Sequence, residues 1–217
     1  MKRRIFIVDD HTLVREWLGN LLRQEPDFEV CGTADTAPAA LAGIMSAAPD
    51  IAIVDLTLKG GSGLDLIKDL RTQCPNTQCV VLSMHEEIYY VERAFRAGAR
   101  GYVTKHESTH SIVEAVRTVL AGKVHARPEI LAQLTARMIG QSAERTTNPA
   151  EVLSDRELEV FRRLGEGQAT RIIAAEMNLS MKTVQAYAAR IKEKLGLSNA
   201  TELMREAVRW TSNPHQN

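Results

Sequence analysis

Five short apolar runs recur along the first half of the chain, and a segment with helical spacing follows each of them. The runs span residues 4–8, 28–32, 51–54, 79–82 and 101–104, and the helices are predicted at 12–24, 37–47, 63–73, 87–97 and 108–121. Runs of this kind are typical of strands buried on both faces, and strands joined by helices form parallel sheets. The pattern therefore predicts an α/β doubly wound five-stranded parallel sheet.

Polar residues stand where these predicted strands end. Asp9 and Asp10 follow the first strand, Asp55 the third, Ser83 the fourth and Lys105 the fifth. In open parallel sheets, function collects at the carboxyl ends of the strands, so these side chains are expected to converge. The aspartates could instead simply cap the following helices, but five such groups in one crevice favour a shared chemical role.

That role is predicted from the chemistry of the cluster. Carboxylates at adjacent strand ends repel one another, and a cation among them relieves the repulsion. Oxygen ligands in an open crevice suit Mg²⁺, which also coordinates phosphate oxygens. Beside it, Asp55 could attack an activated phosphoryl group and form an acyl phosphate. Lys105 would serve as a counter-ion, and the Ser83 hydroxyl could donate to the phosphate oxygens.

Four motifs carry a resemblance over residues 1–124: V-D-D (8–10), V-D-L (54–56), S-M-H (83–85) and G-Y-V-T-K (101–105). Together they resemble the receiver domain of two-component response regulators, which implies a flavodoxin-like fold and a sensor histidine kinase as phosphodonor. The resemblance implies Mg²⁺ ligation and site roles for the following residues: Asp9, Asp10, Asp55 and the backbone carbonyl of Thr57 as metal ligands, Asp55 as phosphoacceptor, Ser83 and Lys105 as phosphate contacts, and Tyr102 as the aromatic residue that changes rotamer.

One segment departs from the receiver pattern. After the acceptor the family usually has Met-Pro, whereas this chain has Leu58-Lys59 followed by Gly60-Gly61. Two successive glycines predict a loosened loop beside the phosphoacceptor. Metal affinity and the lifetime of the phosphorylated state are therefore open at this point.

The remainder of the chain divides into a connector and a helical domain. Residues 125–150 are predicted to contain a helix at 127–139 and a polar joint at 141–149. Residues 151–213 read as helix throughout, with a capping box at Ser154–Glu157 and a helix-turn-helix around residues 170–195. From spacing alone, a small helical bundle for protein contacts explains this pattern equally well.

The residues of this domain resemble the LuxR-type DNA-binding domain. The matching motifs are L-S-D-R-E-L-E-V (153–160), G-E-G (165–167), I-A-A-E-M-N-L-S (173–180), K-T-V-Q-A-Y (182–187) and K-E-K-L-G (192–196). With the receiver in front, the whole chain resembles a NarL/FixJ-type response regulator. The resemblance implies double-stranded DNA as a partner and Met181–Leu195 as the recognition helix, with these candidate contacts: Lys182, Thr183, Gln185, Ala186, Ala189, Arg190 and Lys194.

This helix also departs from its family. Ala188-Ala189 and Arg171-Ile172 stand where basic or charged residues are usual, so we expect few phosphate contacts and a shallow salt dependence. Homodimerisation on activation would then matter more, and the apolar stripe of the predicted last helix, 199–210, could supply a surface for it.

Composition excludes several other classes. The formal net charge is zero, and three cysteines without a C-x-x-C motif make a metal-thiolate or disulfide framework improbable. No apolar run reaches the roughly 18 residues of a membrane span, so we expect a cytoplasmic protein with no membrane partner. We expect a switch and not an enzyme, beyond self-phosphorylation and slow self-dephosphorylation. Two alternatives stay open: a phosphatase with an aspartyl-phosphate intermediate, and a regulator that acts without phosphorylation.

Overall fold

The computed structural model describes residues 2–59, 61–140 and 149–212. The chain divides into two compact units, Met1–Ile139 and Gly140–Asn217, which are described separately below. Within the described residues, no helix has both the length and the apolar character needed to cross a membrane.

The first unit is built on a five-stranded parallel sheet, as the sequence predicts. The strands in the described part of the chain are β1 (Arg3–Val8), β2 (Phe28–Ala34), β3 (Ile51–Val54), β4 (Thr57–Leu58), β5 (Gly61–Ser62), β6 (Gln78–Ser83) and β7 (Gly101–Thr104). The large sheet has the order β2-β1-β3-β6-β7. Every residue of β3 and β7 is buried, which explains why these runs are continuously apolar and do not alternate.

Helices cover both faces of this sheet. They are α1 (Thr12–Arg23), α2 (Ala37–Ala47), α3 (Gly63–Gln73), α4 (Ile88–Ala97), α5 (Thr109–Leu120) and α6 (Pro128–Gly140). The predicted helix ends agree with these bounds to within a residue or two. One face of the sheet packs its isoleucines and valines against α1 and α5, so the strand ends are held on a rigid base.

The segment after Asp55 contains a short hairpin that was not predicted. Thr57 pairs with Ser62 and Leu58 pairs with Gly61, which forms a small antiparallel hairpin from β4 and β5. Leu58 is only 2% exposed, so its side chain anchors the hairpin in the core.

The segment that follows α5 returns to the outer edge of β7. The N–H of His125 donates to the Arg100 carbonyl (2.9 Å), and the His125 carbonyl accepts from the N–H of Tyr102 (2.8 Å). Arg127 then lies 3.8 Å from the Glu86 carboxylate, in the loop between β6 and α4. The start of α6 is therefore attached to the same edge that carries Tyr102. The predicted polar joint at 141–149 falls almost entirely outside the described residues.

The second unit is helical. Its helices are α7 (Pro149–Val152), α8 (Asp155–Gly165), α9 (Thr170–Glu176), α10 (Met181–Leu195) and α11 (Ala200–Ser212). The predicted capping box is present, because Ser154 and Glu157 exchange side-chain to backbone hydrogen bonds. Ser180 caps α10 by accepting from the N–H of Thr183, and Gly196 ends it in the left-handed conformation.

Gly165 has a role that the sequence did not predict. It is the last residue of α8, and an added Cβ there would come 2.3 Å from the Ala207 carbonyl oxygen in α11. Gly167, with a φ of +78°, instead takes the left-handed conformation just beyond the helix end. Gly165 thus permits the close approach of two helices, and Gly167 turns the chain.

Candidate functional site

The predicted acidic residues meet at the carboxyl end of the large sheet. Asp9 follows β1, and its side chain is 3% exposed, while that of Asp55 after β3 is 5% exposed. One ligand atom from each of Asp9, Asp10, His11 and Asp55 lies within 4.8 Å of the others. The backbone fixes this arrangement, because the N–H of Asp55 donates to the Val8 carbonyl across the sheet (2.8 Å).

Lys105 neutralises two of these carboxylates. Its Nζ lies 2.7 Å from Asp9 Oδ2 and 2.6 Å from Asp55 Oδ2. Burial raises the pKa of Asp55 to about 6, and the nearby Asp9 charge adds to the effect, whereas Lys105 opposes it. Burial would lower the pKa of Lys105, but the two carboxylates raise it above its usual value. The ammonium is therefore charged at neutral pH and acts as a built-in counter-ion.

The other oxygens of the cluster suit a divalent cation. Asp10 Oδ1 is buried and accepts no hydrogen bond from the described residues, although His11 Nδ1 lies 2.8 Å away. A buried carboxylate oxygen is costly unless a donor or a cation approaches it. Asp9, Asp10 and Asp55 offer the oxygen ligands that Mg²⁺ prefers, and these residues fit such an ion. A bound Mg²⁺ would neutralise the cluster and polarise a phosphoryl group beside Asp55.

Three further predicted residues lie at or near this end of the sheet. The N–H of Thr57 donates to Asp55 Oδ1 (3.2 Å), which places Thr57 next to the carboxylate. Ser83 is fully buried at the end of β6, and its Oγ accepts from the N–H of His85 (3.2 Å). The Tyr102 hydroxyl donates to the His85 carbonyl (2.9 Å) and is held inward, with 3% of the residue exposed. Burial raises the pKa of Tyr102, so the phenol stays a donor.

Two residues that were not predicted from the sequence also shape this site. An added Cβ at Gly63 would come 2.0 Å from the Asp55 carbonyl oxygen, so only glycine lets α3 begin this close to the acceptor. The His11 N–H donates to Asp9 Oδ1 (2.8 Å). For His11 a signal existed, since it follows the acidic pair directly, whereas Gly63 depends on a long-range approach that no local pattern shows.

The second candidate site is the exposed face of α10. Val184 and Ile191 of this helix are buried, and six of the predicted DNA contacts are exposed: Lys182, Gln185, Ala186, Ala189, Arg190 and Lys194. Thr183 is half-buried, and its hydroxyl hydrogen-bonds that of Ser180 (2.8 Å). Helix α9 precedes α10 across a tight turn in which Asn178 has a φ of +57°, which is a helix-turn-helix arrangement.

Lys194 has a different environment. Its Nζ lies 2.6 Å from Glu157 Oε2 in α8, so the ammonium is already used in an ion pair within the domain. This predicted DNA contact therefore also ties α10 to α8.

Comparisons with known proteins decide the family. Residues 5–117 match the response regulator receiver domain, and residues 151–207 match the bacterial regulatory proteins of the luxR family. The chain belongs to the response regulators. The oxygen regulatory protein NreC of Staphylococcus carnosus is 33% identical over 210 residues, which cover 95% of this chain and 97% of NreC.

Other response regulators are similarly related. The DNA-binding transcriptional activator DevR/DosR of Mycobacterium tuberculosis is 34% identical over 92% of this chain and 91% of its own. The crystal structure of a LuxR family response regulator from Aurantimonas sp. SI85-9A1 is 32% identical, with a TM-score of 0.60 over 64% of this chain and 99% of that chain. RcsB of Salmonella typhimurium, at 24% identity and a TM-score of 0.65, shows the shared fold. This chain is thus a DNA-binding transcriptional response regulator of the receiver and LuxR type.

Proposed function

We propose that Mg²⁺-dependent phosphorylation of Asp55 by a sensor histidine kinase switches this regulator and promotes its binding to double-stranded DNA as a homodimer. The observation that carries the proposal is the buried Asp9–Asp55 pair bridged by Lys105, beside the buried Oδ1 atom of Asp10. In the cytoplasm, where bacterial DNA lies, a kinase and an operator would both be accessible.

The phosphoryl transfer uses residues already in place. An Asp55 carboxylate oxygen attacks the phosphorus of the donor phosphohistidine, the O–P bond forms, and the P–N bond to the donor imidazole breaks. Lys105, now 2.6 Å from Asp55 Oδ2, would pair with the new phosphoryl oxygens. Since Asp55-Leu56-Thr57 lacks the second acid of aspartyl-phosphate phosphatases, we infer a switch that holds its phosphoryl group and not an enzyme with free turnover.

A chain of polar contacts leads from Ser83 to the connector. If the Ser83 hydroxyl turns to the phosphoryl group, it releases the N–H of His85, to which it is now bound. The His85 carbonyl in turn holds the Tyr102 hydroxyl. The same loop carries Glu86, the partner of Arg127 at the start of α6. Movement of this loop would therefore weaken the attachment of the connector and change the freedom of the DNA-binding unit.

The exposed face of α10 would read DNA. Gln185 would pair with an adenine edge, and the Ala186 methyl group would contact a thymine methyl. Lys182 and Arg190 would meet phosphates. We expect Lys182→Ala to weaken binding to all sequences and to lower the salt slope by about 1, whereas Gln185→Ala should cost about 1–3 kcal/mol and relax sequence preference.

The proposal is tested with acetyl phosphate and Mg²⁺ on a DNA fragment obtained by binding-site selection. Wild type should gain DNA affinity and shift from monomer to dimer in sedimentation. Complete switching from 1:99 to 99:1 would require about a 10⁴-fold preference, or roughly 5.5 kcal/mol. Asp55→Asn should show neither change, while Asp65→Asn, an exposed carboxylate of α3, should behave as wild type.

The outcomes separate the alternatives. A gain of affinity that persists in Asp55→Asn would refute phosphorylation as the switch. If neither DNA binding nor the oligomeric state changes when the phosphodonor is added, a regulator that acts without phosphorylation is favoured. Steady turnover of an aryl phosphate would favour a phosphatase.

A further inference from the structure

His11 holds a ring nitrogen among the carboxylates of the metal site. Its backbone N–H donates to Asp9 Oδ1 (2.8 Å), which ties the residue to the pocket. Its ring Nδ1 lies 2.8 Å from Asp10 Oδ1 and 3.2 Å from Asp9 Oδ1. The side chain is 66% exposed, so the pocket stays open to an incoming ion on this side.

The spacing of these donors fits one octahedral ion. When metal–ligand bonds are about 2.1 Å long, neighbouring ligands at right angles lie about 3.0 Å apart. The two distances from His11 Nδ1, 2.8 Å and 3.2 Å, lie on either side of this value. One nitrogen and two carboxylate oxygens could therefore occupy adjacent positions around the same ion.

Lys105 leaves this side of the pocket free. It contacts Asp9 and Asp55 through their Oδ2 atoms, whereas His11 faces Asp9 Oδ1. A cation beside His11 and Asp10 would not have to displace the ammonium from its two hydrogen bonds.

We propose that His11 is an additional ligand of this metal site through Nδ1, and that it raises the affinity of the site for borderline first-row divalent cations relative to Mg²⁺. The inference rests on the metal site of the proposed function. Imidazole favours ions such as Co²⁺, Ni²⁺ and Zn²⁺, while carboxylate and water ligands alone suit Mg²⁺. The receiver would then respond to which divalent ion is present, in addition to its phosphodonor.

The test uses full-length, metal-free protein at pH 8 and titrates Mg²⁺ and Co²⁺ separately by calorimetry. In His11→Ala the Co²⁺ affinity should fall tenfold or more, and the Mg²⁺ affinity should change by less than about threefold. In the Co²⁺ form of wild type, proton NMR in water should show a strongly shifted, exchangeable imidazole N–H signal, which His11→Ala should lose.

Two further variants make the result specific. His11→Gln keeps a polar side chain and should behave as His11→Ala, while His110→Ala, an exposed histidine of α5, should keep both the affinity and the signal. Far-ultraviolet circular dichroism confirms that each variant is folded.

Each remaining outcome counts against the inference. An unchanged Co²⁺ to Mg²⁺ ratio in His11→Ala, or tighter binding of both ions, would show that His11 is only a counter-ion of the carboxylates. If wild type binds neither ion, the metal site of the proposed function fails with it.

Discussion

Lys105→Met should make the metal-free protein strongly dependent on an added cation. The ammonium bridges two carboxylates whose side chains are 3% and 5% exposed, and methionine keeps the stem while it removes the charge. Loss of one partner from a buried ion pair costs about 3–5 kcal/mol. Because the pKa of Asp55 is about 6 even beside Lys105, the variant should raise it further. The cost is therefore largest near pH 8 and shrinks toward pH 5.5, where Asp55 takes up a proton.

Mg²⁺ should return much of this stability. An ion at 100 times its dissociation constant stabilises the folded state by about 2.7 kcal/mol. At equal Mg²⁺ concentration, the ion should stabilise the variant more than it stabilises wild type, because the variant lacks a competing positive charge. The assay is urea unfolding of the receiver domain, in EDTA or in Mg²⁺, at pH 8 and at pH 5.5.

Lys68→Met provides the matched control. Its Nζ pairs with Asp65 at 3.1 Å on the surface, where the two side chains are 56% and 63% exposed. Such a pair contributes roughly 0–1 kcal/mol. Two results would contradict the account of Lys105 as a counter-ion. In EDTA, Lys105→Met would lower the free energy of unfolding no more than Lys68→Met does. Alternatively, Mg²⁺ would fail to reduce the difference in unfolding free energy between Lys105→Met and wild type.

Two other substitutions test the scaffold. Gly63→Ala should lower the free energy of unfolding by about 1–3 kcal/mol, because its Cβ would meet the Asp55 carbonyl. Gly19→Ala would meet only the flexible end of the Arg23 side chain, so it should be neutral or stabilising. Urea unfolding compares the two variants. Burial would raise the pKa of Glu157, but hydrogen bonds from Lys194 and Ser154 keep it below its usual value. Glu157→Gln should therefore destabilise the helical unit at neutral pH, and the difference should vanish as the pH falls below the lowered pKa; equal loss at pH 3 and pH 7 would contradict this.

Most of the receiver architecture could be predicted from local patterns. Because every residue of β3 and β7 is buried, these strands are continuous apolar runs, and both of their ends were predicted at the observed residues. Parallel strands end at one edge, and this rule alone predicted that Asp9, Asp55 and Lys105 would meet. The start of α10 was equally clear, because Ser180 is a good capping residue.

What the sequence did not reveal shares a physical cause, which is contact between residues distant in sequence. Leu58 of the short β4–β5 hairpin is buried in the core. Gly165 ends α8 where α11 comes close to it. Lys194 in α10 forms an ion pair with Glu157 in α8. Local spacing contains no information on such partners.

The return of His125 to the edge of β7 also protects the sheet. An edge strand presents unpaired N–H and carbonyl groups that can template the addition of another chain. Here the hydrogen bonds of His125 to Arg100 and Tyr102 occupy part of that edge. If the connector detaches on activation, these groups become open to a foreign strand. The activated protein would then be more prone to edge-to-edge aggregation, and operator DNA or rapid dephosphorylation would limit how long that edge stays exposed.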